Sequence, residues 1–194
     1  DERGQVWSGR VNPAVEREVT DLAPGAALEL GSGEGGDALW LAEQGWTVTA
    51  LEISATALAV GAAQAAARGV ADRITWVQAD LVTWRPDAEY DLVTSAFFHS
   101  PFDFPREEIL RRATRAVAPG GTLLIVGHGA PPPGLAGGHG REHAASGPPL
   151  PGPAEVLAGL GLPNEWAVER SAVVTREAAL PDGATIEVTD TVVR

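Results

Sequence analysis

Leu28-Glu29-Leu30-Gly31-Ser32-Gly33-Glu34-Gly35-Gly36-Asp37 is a short apolar run that turns through glycines and opens into a helix-forming stretch. Strand, glycine turn and helix in that order make a loop over which a ligand can lie against bare main chain, because glycine accepts positive φ and puts no Cβ in the way. Outward from this loop, apolar runs recur at 26–30, 47–53, 74–78, 91–96 and 122–126. Their shortness and near-continuous apolarity are those of strands covered on both faces.

Helical stretches separate these runs and carry readable ends. One runs from Asp37 to Gln44 and stops at Gly45; a second is capped by Ser54 and stops at Gly69. A third, Pro105 to Val117, puts Ile109, Ala113, Ala116 and Val117 on one face and leaves Arg106, Arg111, Arg112 and Arg115 as a solvated face. Upstream, Asn12-Pro13 reads as an N-cap followed by proline at the first helical position, with Val15, Val19 and Leu22 turned inward. Residues 129–153 hold 14 Gly or Pro among 25, which predicts a long surface loop or lid. A short helix near 154–160 follows, and then two alternating runs, 167–175 and 185–193, around the turn Pro181-Asp182-Gly183. The expected fold is α/β: a mainly parallel, Rossmann-like sheet with helices on both faces, closed by a C-terminal antiparallel hairpin. Residues 1–194 read as one domain.

Composition narrows the function. Hydrophobic residues make up 44% and charged residues 21% of the 194, and no apolar run approaches the roughly 18 to 20 residues of a membrane-spanning helix. Fourteen basic residues, all Arg, face 26 Asp and Glu, a net charge of -12. That sign disfavours nucleic acid and anionic membrane partners. The absence of Cys excludes disulfides, thiolate metal sites and a cysteine nucleophile. Asp1-Glu2-Arg3-Gly4 lacks the layout of a secretory signal, so a cytoplasmic home is expected; with no Met at position 1, the chain is expected to lack its natural start.

The loop points to a nucleoside-containing cofactor. Glu52 ends the second strand 21 residues after Gly31, where a carboxylate can accept both hydroxyls of a ribose. Gly31, Gly33 and Gly36 also satisfy the dinucleotide fingerprint G-x-G-x-x-G. Three features favour a cationic cofactor over a pyrophosphate. Glu29 puts a carboxyl at the strand end, which would repel phosphate and attract an amino group. Asp80, after the third strand, could meet an adenine amino group, and the closing hairpin departs from a dinucleotide domain's run of parallel units. A nicotinamide oxidoreductase stays open as a rival. It would need an acid such as a Tyr-Lys pair, whereas the chain has no Lys and one tyrosine, Tyr90, at the wrong edge. A second rival is a binding module without catalysis, since the loop speaks to binding alone.

In these motifs the chain resembles the class I S-adenosylmethionine-dependent methyltransferases. The likeness runs from Glu29–Gly35 through Leu51-Glu52-Ile53-Ser54, Gln78-Ala79-Asp80 and Tyr90-Asp91-Leu92-Val93 to Val117-Ala118-Pro119-Gly120-Gly121. Its compact layout is most similar to the small tellurite-resistance and thiopurine-methylating types. The resemblance implies a seven-stranded sheet with one antiparallel strand and S-adenosylmethionine as cofactor. It places the methionine part over Gly31, Ser32, Gly33 and Gly35, with Glu29 and Asp37 nearby, Glu52 and Ile53 at the ribose, and Asp80 and Leu81 around the adenine. Ser95, Ala96 and Phe97 would pass close to the methionine moiety. By the same likeness residues 1–24 would form a cofactor-covering segment and helix, with Trp7 and Arg10 over the ligand. Ser32 stands where Cys is common in the family, and Glu52 where Asp is.

Methyl transfer from a sulfonium needs alignment and exclusion of water, and a base only where the acceptor must lose a proton. The four histidines all fall beyond the carboxyl ends of strands four and five, the edge that carries the crevice in open α/β sheets. His99 and His128 are the candidates for catalysis, against a reading as structural histidines. His139 and His143 have a metal-compatible spacing, but a glycine-rich loop offers no helix to hold them on one face, and no metal site is assigned. Phe97, Phe98, Phe102 and Phe104 are expected to line or underpin the pocket, and most of the six tryptophans to pack. The expectation is a small-molecule methyltransferase, with oligomeric state left open.

Overall fold

The computed structural model describes residues 9–99, 104–129, 150–179 and 185–194. Trp7, His139, His143 and Phe102 therefore lie outside the described residues, as do most of the 129–153 stretch and the Pro181–Gly183 turn.

Seven strands form a single sheet: β1 (Ala26–Leu30), β2 (Thr47–Glu52), β3 (Ile74–Gln78), β4 (Tyr90–Ala96), β5 (Val117–His128), β6 (Ser171–Ala179) and β7 (Thr185–Val193). Their order is β3-β2-β1-β4-β5-β7-β6. β1 pairs in parallel with β2 and β4, β2 with β3, and β4 with β5. β7 runs antiparallel to both of its neighbours, so β6 points the same way as β1 to β5. The carboxyl ends of six strands thus gather at one edge, which is where a ligand crevice forms in such sheets.

Strand alternation divides the core in two. Ala27, Leu92, Leu124 and Val126 pack with α1 (Pro13–Val19), α2 (Gly36–Glu43) and α3 (Ala55–Arg68). Leu28, Leu30, Val93 and Ile125 pack on the other face with α4 (Arg106–Ala113) and α5 (Pro153–Leu160). The helices begin as their sequences dictate. Asn12 Oδ1 accepts from Ala14 N–H at the start of α1, and Ser54 Oγ accepts from Ala57 N–H at the start of α3. Gly69, at φ 71°, ends α3.

Three expectations are corrected. The helix expected to reach Val117 ends at Ala113, continues as a 3₁₀ turn over Thr114–Ala116 and becomes β5 at Val117. The pairing Tyr90↔Val117 precedes a register shift that lets Pro119-Gly120-Gly121 bow out, with Gly120 at φ 78°. The first hairpin strand begins at Ser171 rather than Ala167, because β7 supplies partners only from Val193 onward. Arg112 is not solvated: it is 6% exposed, and its Nη2 donates to the carbonyls of Leu81 (2.8 Å) and Val82 (3.2 Å), clamping the segment after β3.

Candidate functional site

The chain leaves β1 through Gly31, Gly33 and Gly35, at φ 71°, 54° and 80°. These angles lie in the left-handed region, where side chains other than glycine are strained. The N–H groups of Gly31 and Ser32 both donate to Leu51 O, at 2.8 and 2.9 Å. The Glu52 carboxylate stitches the same loop to β2: Oε2 accepts from Gly33 N–H (3.0 Å) and Oε1 from Ser54 N–H (2.9 Å). A Cβ on Gly31 would meet the Phe98 ring at 3.0 Å, so the loop and the end of β4 close on each other.

Between them lies a cavity of about 530 Å³, a size suited to a small ligand. Glu29, Gly31, Ser32, Gly33 and Asp37 form its floor, and Glu52, Ile53, Asp80 and Leu81 one side. Ile53 is 63% exposed, an apolar side chain left open at the cavity. Asp80 Oδ1 accepts from Val82 N–H, which fixes the turn after β3. The opposite side is Ala96, Phe97, Phe98, His99, Phe104 and Arg176. Residues 9–13, Arg10 among them, make the remaining wall. This segment is held by Asn12 N–H on Asp37 Oδ1 (2.7 Å) and by close packing, since a Cβ on Gly36 would strike the Arg10 carbonyl at 2.6 Å.

Three expected site residues do not reach the cavity. Gly35 caps α2 beneath Trp76, whose ring would stand 2.3 Å from a Cβ there, so its glycine serves packing. Ser95 is 1% exposed and lies behind the wall. His128 also stays outside the lining; its ring stacks on Phe97 with centroids 4.1 Å apart.

Electrostatically the floor is acidic. Glu29 shares the strand face of Ala27 and is turned toward α2, where it accepts from Ala38 N–H. Burial first, and then the Asp37 and Glu52 carboxylates, push its pKa well above the ordinary value. Its Oε2 is buried with no hydrogen-bond partner. Burial likewise raises the Asp37 pKa to about 6, against the opposing Asn12 N–H. His99 is pushed the other way, to about 4, by burial and by the neighbouring Arg106 and His128. Its Nε2 accepts from His128 N–H at 3.3 Å, so the ring is neutral at pH 7 with that lone pair engaged. Burial also lowers the His128 pKa, with Asp190 opposing the shift and Arg176 adding to it.

Phe97 is the one described non-glycine residue with positive φ, 51°. Its N–H donates to Val126 O and its carbonyl accepts from His99 N–H, both at 2.8 Å, which over-determines the strained turn. Sequence reasoning missed Arg176 as a cavity residue. Arg176 is diagonal across the hairpin from Asp190, two pairs on from Val174↔Asp190 and so on the same face, a relation visible only once the register is known.

The cavity fits a cofactor that is an adenosine bearing an amino-acid-like cation. Glu29 offers a buried carboxyl oxygen without a partner, the loop offers bare main chain, and Ile53 offers an uncovered apolar face. Residues 27–121 match a family model described as a methyltransferase domain. The chain is similar to the 2-heptyl-1-hydroxyquinolin-4(1H)-one methyltransferase of Mycobacteroides abscessus, 34% identical over 139 residues, or 69% of this chain and 61% of that protein. It thus spans about three fifths of that curated relative's length. A structure solved for the conversion of a disulfide bond into a thioacetal group during echinomycin biosynthesis superposes with a TM-score of 0.65 at 25% identity, over 95% of this chain and 81% of that one. TehB from Haemophilus influenzae shares the fold, with a TM-score of 0.64 at 17% identity over 95% of this chain and 62% of that one. Strand order, the glycine loop at the carboxyl edge and a cavity made for a cationic nucleoside agree with these likenesses: the chain belongs to the S-adenosylmethionine-dependent methyltransferases.

Proposed function

We propose that the chain transfers the methyl group of S-adenosylmethionine to a small-molecule acceptor. The observation that carries this reading is the Glu29 carboxyl oxygen, buried and unpartnered beside the glycine loop in a cavity of about 530 Å³. A buried unpaired carboxyl is costly, and a ligand ammonium or sulfonium would relieve that cost. The cofactor, when bound, supplies an electrophilic methyl carbon on a positively charged sulfur. Glu29 and Asp37 would hold its cationic end, Glu52 its ribose, and Ile53, Asp80 and Leu81 its adenine. Phe97, Phe98 and Phe104 would exclude water from the reacting atoms.

The size of the cavity supports a small acceptor, as does the likeness to a hydroxyquinolinone methyltransferase. The net charge of -12 supports leaving nucleic acid out of the substrates. No helix among the described residues is long and apolar enough to cross a membrane. The cytoplasm is the compartment we assign, and we take residues 1–194 as one domain.

Calorimetric titration with S-adenosylmethionine, S-adenosylhomocysteine and NAD in parallel tests the reading. Micromolar binding of the first two with none of NAD is expected, followed by acceptor-dependent formation of S-adenosylhomocysteine. Binding of NAD alone would overturn it.

A further inference from the structure

The cavity is electrically polar along the sheet. Carboxyls from β1, α2 and β2 occupy one end, while Arg176 of β6 lies at the other, its guanidinium carbon 5.8 Å from the Phe97 ring centroid. Arg176 is held in place. Its Nε donates to Asp190 Oδ2 at 2.6 Å and its Nη2 to Oδ1 at 3.4 Å, and the Asp190 side chain is fully buried, whereas that of Arg176 is 25% exposed. The carboxylate therefore stands behind the guanidinium and the guanidinium stands at the cavity wall, with Nη1 outside the pair. Such backing fixes the planar donor and reduces the entropy lost when it takes an anion.

The surrounding rings are flat and apolar. Phe98 and Phe104 meet edge to face at 4.9 Å, and Phe97 is braced from behind by His128. His99 lines the same wall but has its Nε2 engaged by His128 N–H, so it does not take a proton from an acceptor at neutral pH.

We propose that Arg176, backed by Asp190, recognises the acceptor, and that the acceptor is a small planar compound whose reacting oxygen or sulfur meets the site already ionised. This rests on the methyltransferase reading and names its substrate class. The acceptor gives its proton to solvent before the step. Its anionic heteroatom then forms the bond to the methyl carbon, the carbon–sulfur bond of the sulfonium breaks with its electron pair left on sulfur, and neither reacting atom is charged afterwards. No side chain has to accept a proton.

The test uses para-nitrophenol, whose absorbance separates phenol from phenolate, with protein saturated by S-adenosylhomocysteine at a pH where half the free dye is ionised. Bound dye is expected to be mostly phenolate, its apparent pKa lowered by about one unit or more, as an opposite charge within about 4–6 Å produces. Arg176→Lys should keep part of this shift and Arg176→Gln should lose it while S-adenosylhomocysteine still binds. Because Arg176→Gln strands a buried Asp190, the pair Arg176→Gln with Asp190→Asn is measured beside it and should lose the shift too. Dye bound as neutral phenol, dye that does not bind, or an equal shift in the variants would overturn the proposal. Failure of S-adenosylhomocysteine to bind the unaltered chain would instead overturn the methyltransferase reading beneath it.

Discussion

We propose two roles for the one carboxylate of Glu52. Each oxygen already accepts a backbone N–H, from Gly33 and from Ser54, so the side chain shapes the glycine loop before any ribose reaches it. A carboxylate oxygen has lone pairs for more than one donor, and a ribose would take those that remain. Glu52→Ala is expected to weaken S-adenosylmethionine binding about tenfold or more, on the order of 1.5–3 kcal/mol for hydrogen bonds to a charged group. Glu52→Gln separates the two roles in part: it keeps the shape and one carbonyl oxygen but turns an amide toward a backbone N–H. Calorimetric affinity for both variants, read against their melting temperatures, checks this; an unchanged affinity in Glu52→Ala would remove Glu52 from the cofactor site. Glu29, two residues before the loop, shows the opposite economy: one carboxyl that accepts from Ala38 N–H and leaves its second oxygen buried without a partner.

Among the elements, Trp76 of β3 decides why two glycines stand where they do. Its ring fills the gap between the loop and α3: a Cβ on Gly35 would meet it at 2.3 Å, and one on Gly61 at 2.6 Å, with Glu34 O at 3.0 Å as well. Gly61 lies inside α3, where Ala would ordinarily be favoured by about 1 kcal/mol. Here overpacking reverses the sign, and Gly61→Ala should destabilise by about 1–3 kcal/mol in denaturant unfolding. A gain in stability would show that the Trp76 ring moves aside freely. Most of this architecture was legible beforehand because it is local: β1 to β4, the Asn12 and Ser54 caps and the stop at Gly69 each follow from a few neighbouring residues. What escaped depends on distant partners. The start of β5 is set by Tyr90↔Val117, the start of β6 by Ser171↔Val193, and the burial of Arg112 by the carbonyls of Leu81 and Val82. The acidic half of the site was readable for the same reason as the strands, since Glu29, Gly31 and Glu52 lie in or beside one glycine loop and the next strand end. Arg176 was not, because only the hairpin register brings it near Asp190 and only the strand order brings β6 to the same edge.

At the scale of the molecule, an acidic chain with carboxyls buried in its cavity should lose stability as those carboxyls ionise. Asp37 has its pKa raised by burial from 3.8 to about 6, so between these values the folded chain holds a proton that the unfolded chain has released. Stability from this group is fully present below 3.8 and is lost as pH rises through about 6, on the order of 2–3 kcal/mol. Glu29, also raised, adds to the same slope, and a net charge of -12 at neutral pH adds self-repulsion of the same sign. Carboxylates stabilised as anions elsewhere contribute the opposite slope, so the comparison that isolates Asp37 is with Asp37→Asn, which retains an oxygen for Asn12 N–H. Urea unfolding of both proteins without ligand, at several pH values from 4 to 7, should show the unaltered chain losing ground to the variant as pH rises. Parallel curves would mean that Asp37 ionises at its ordinary pKa despite its burial. A cationic ligand in the cavity favours the ionised carboxyls, so saturating S-adenosylmethionine should shrink the difference between the two curves at the upper end of the range and leave it nearly intact at pH 4.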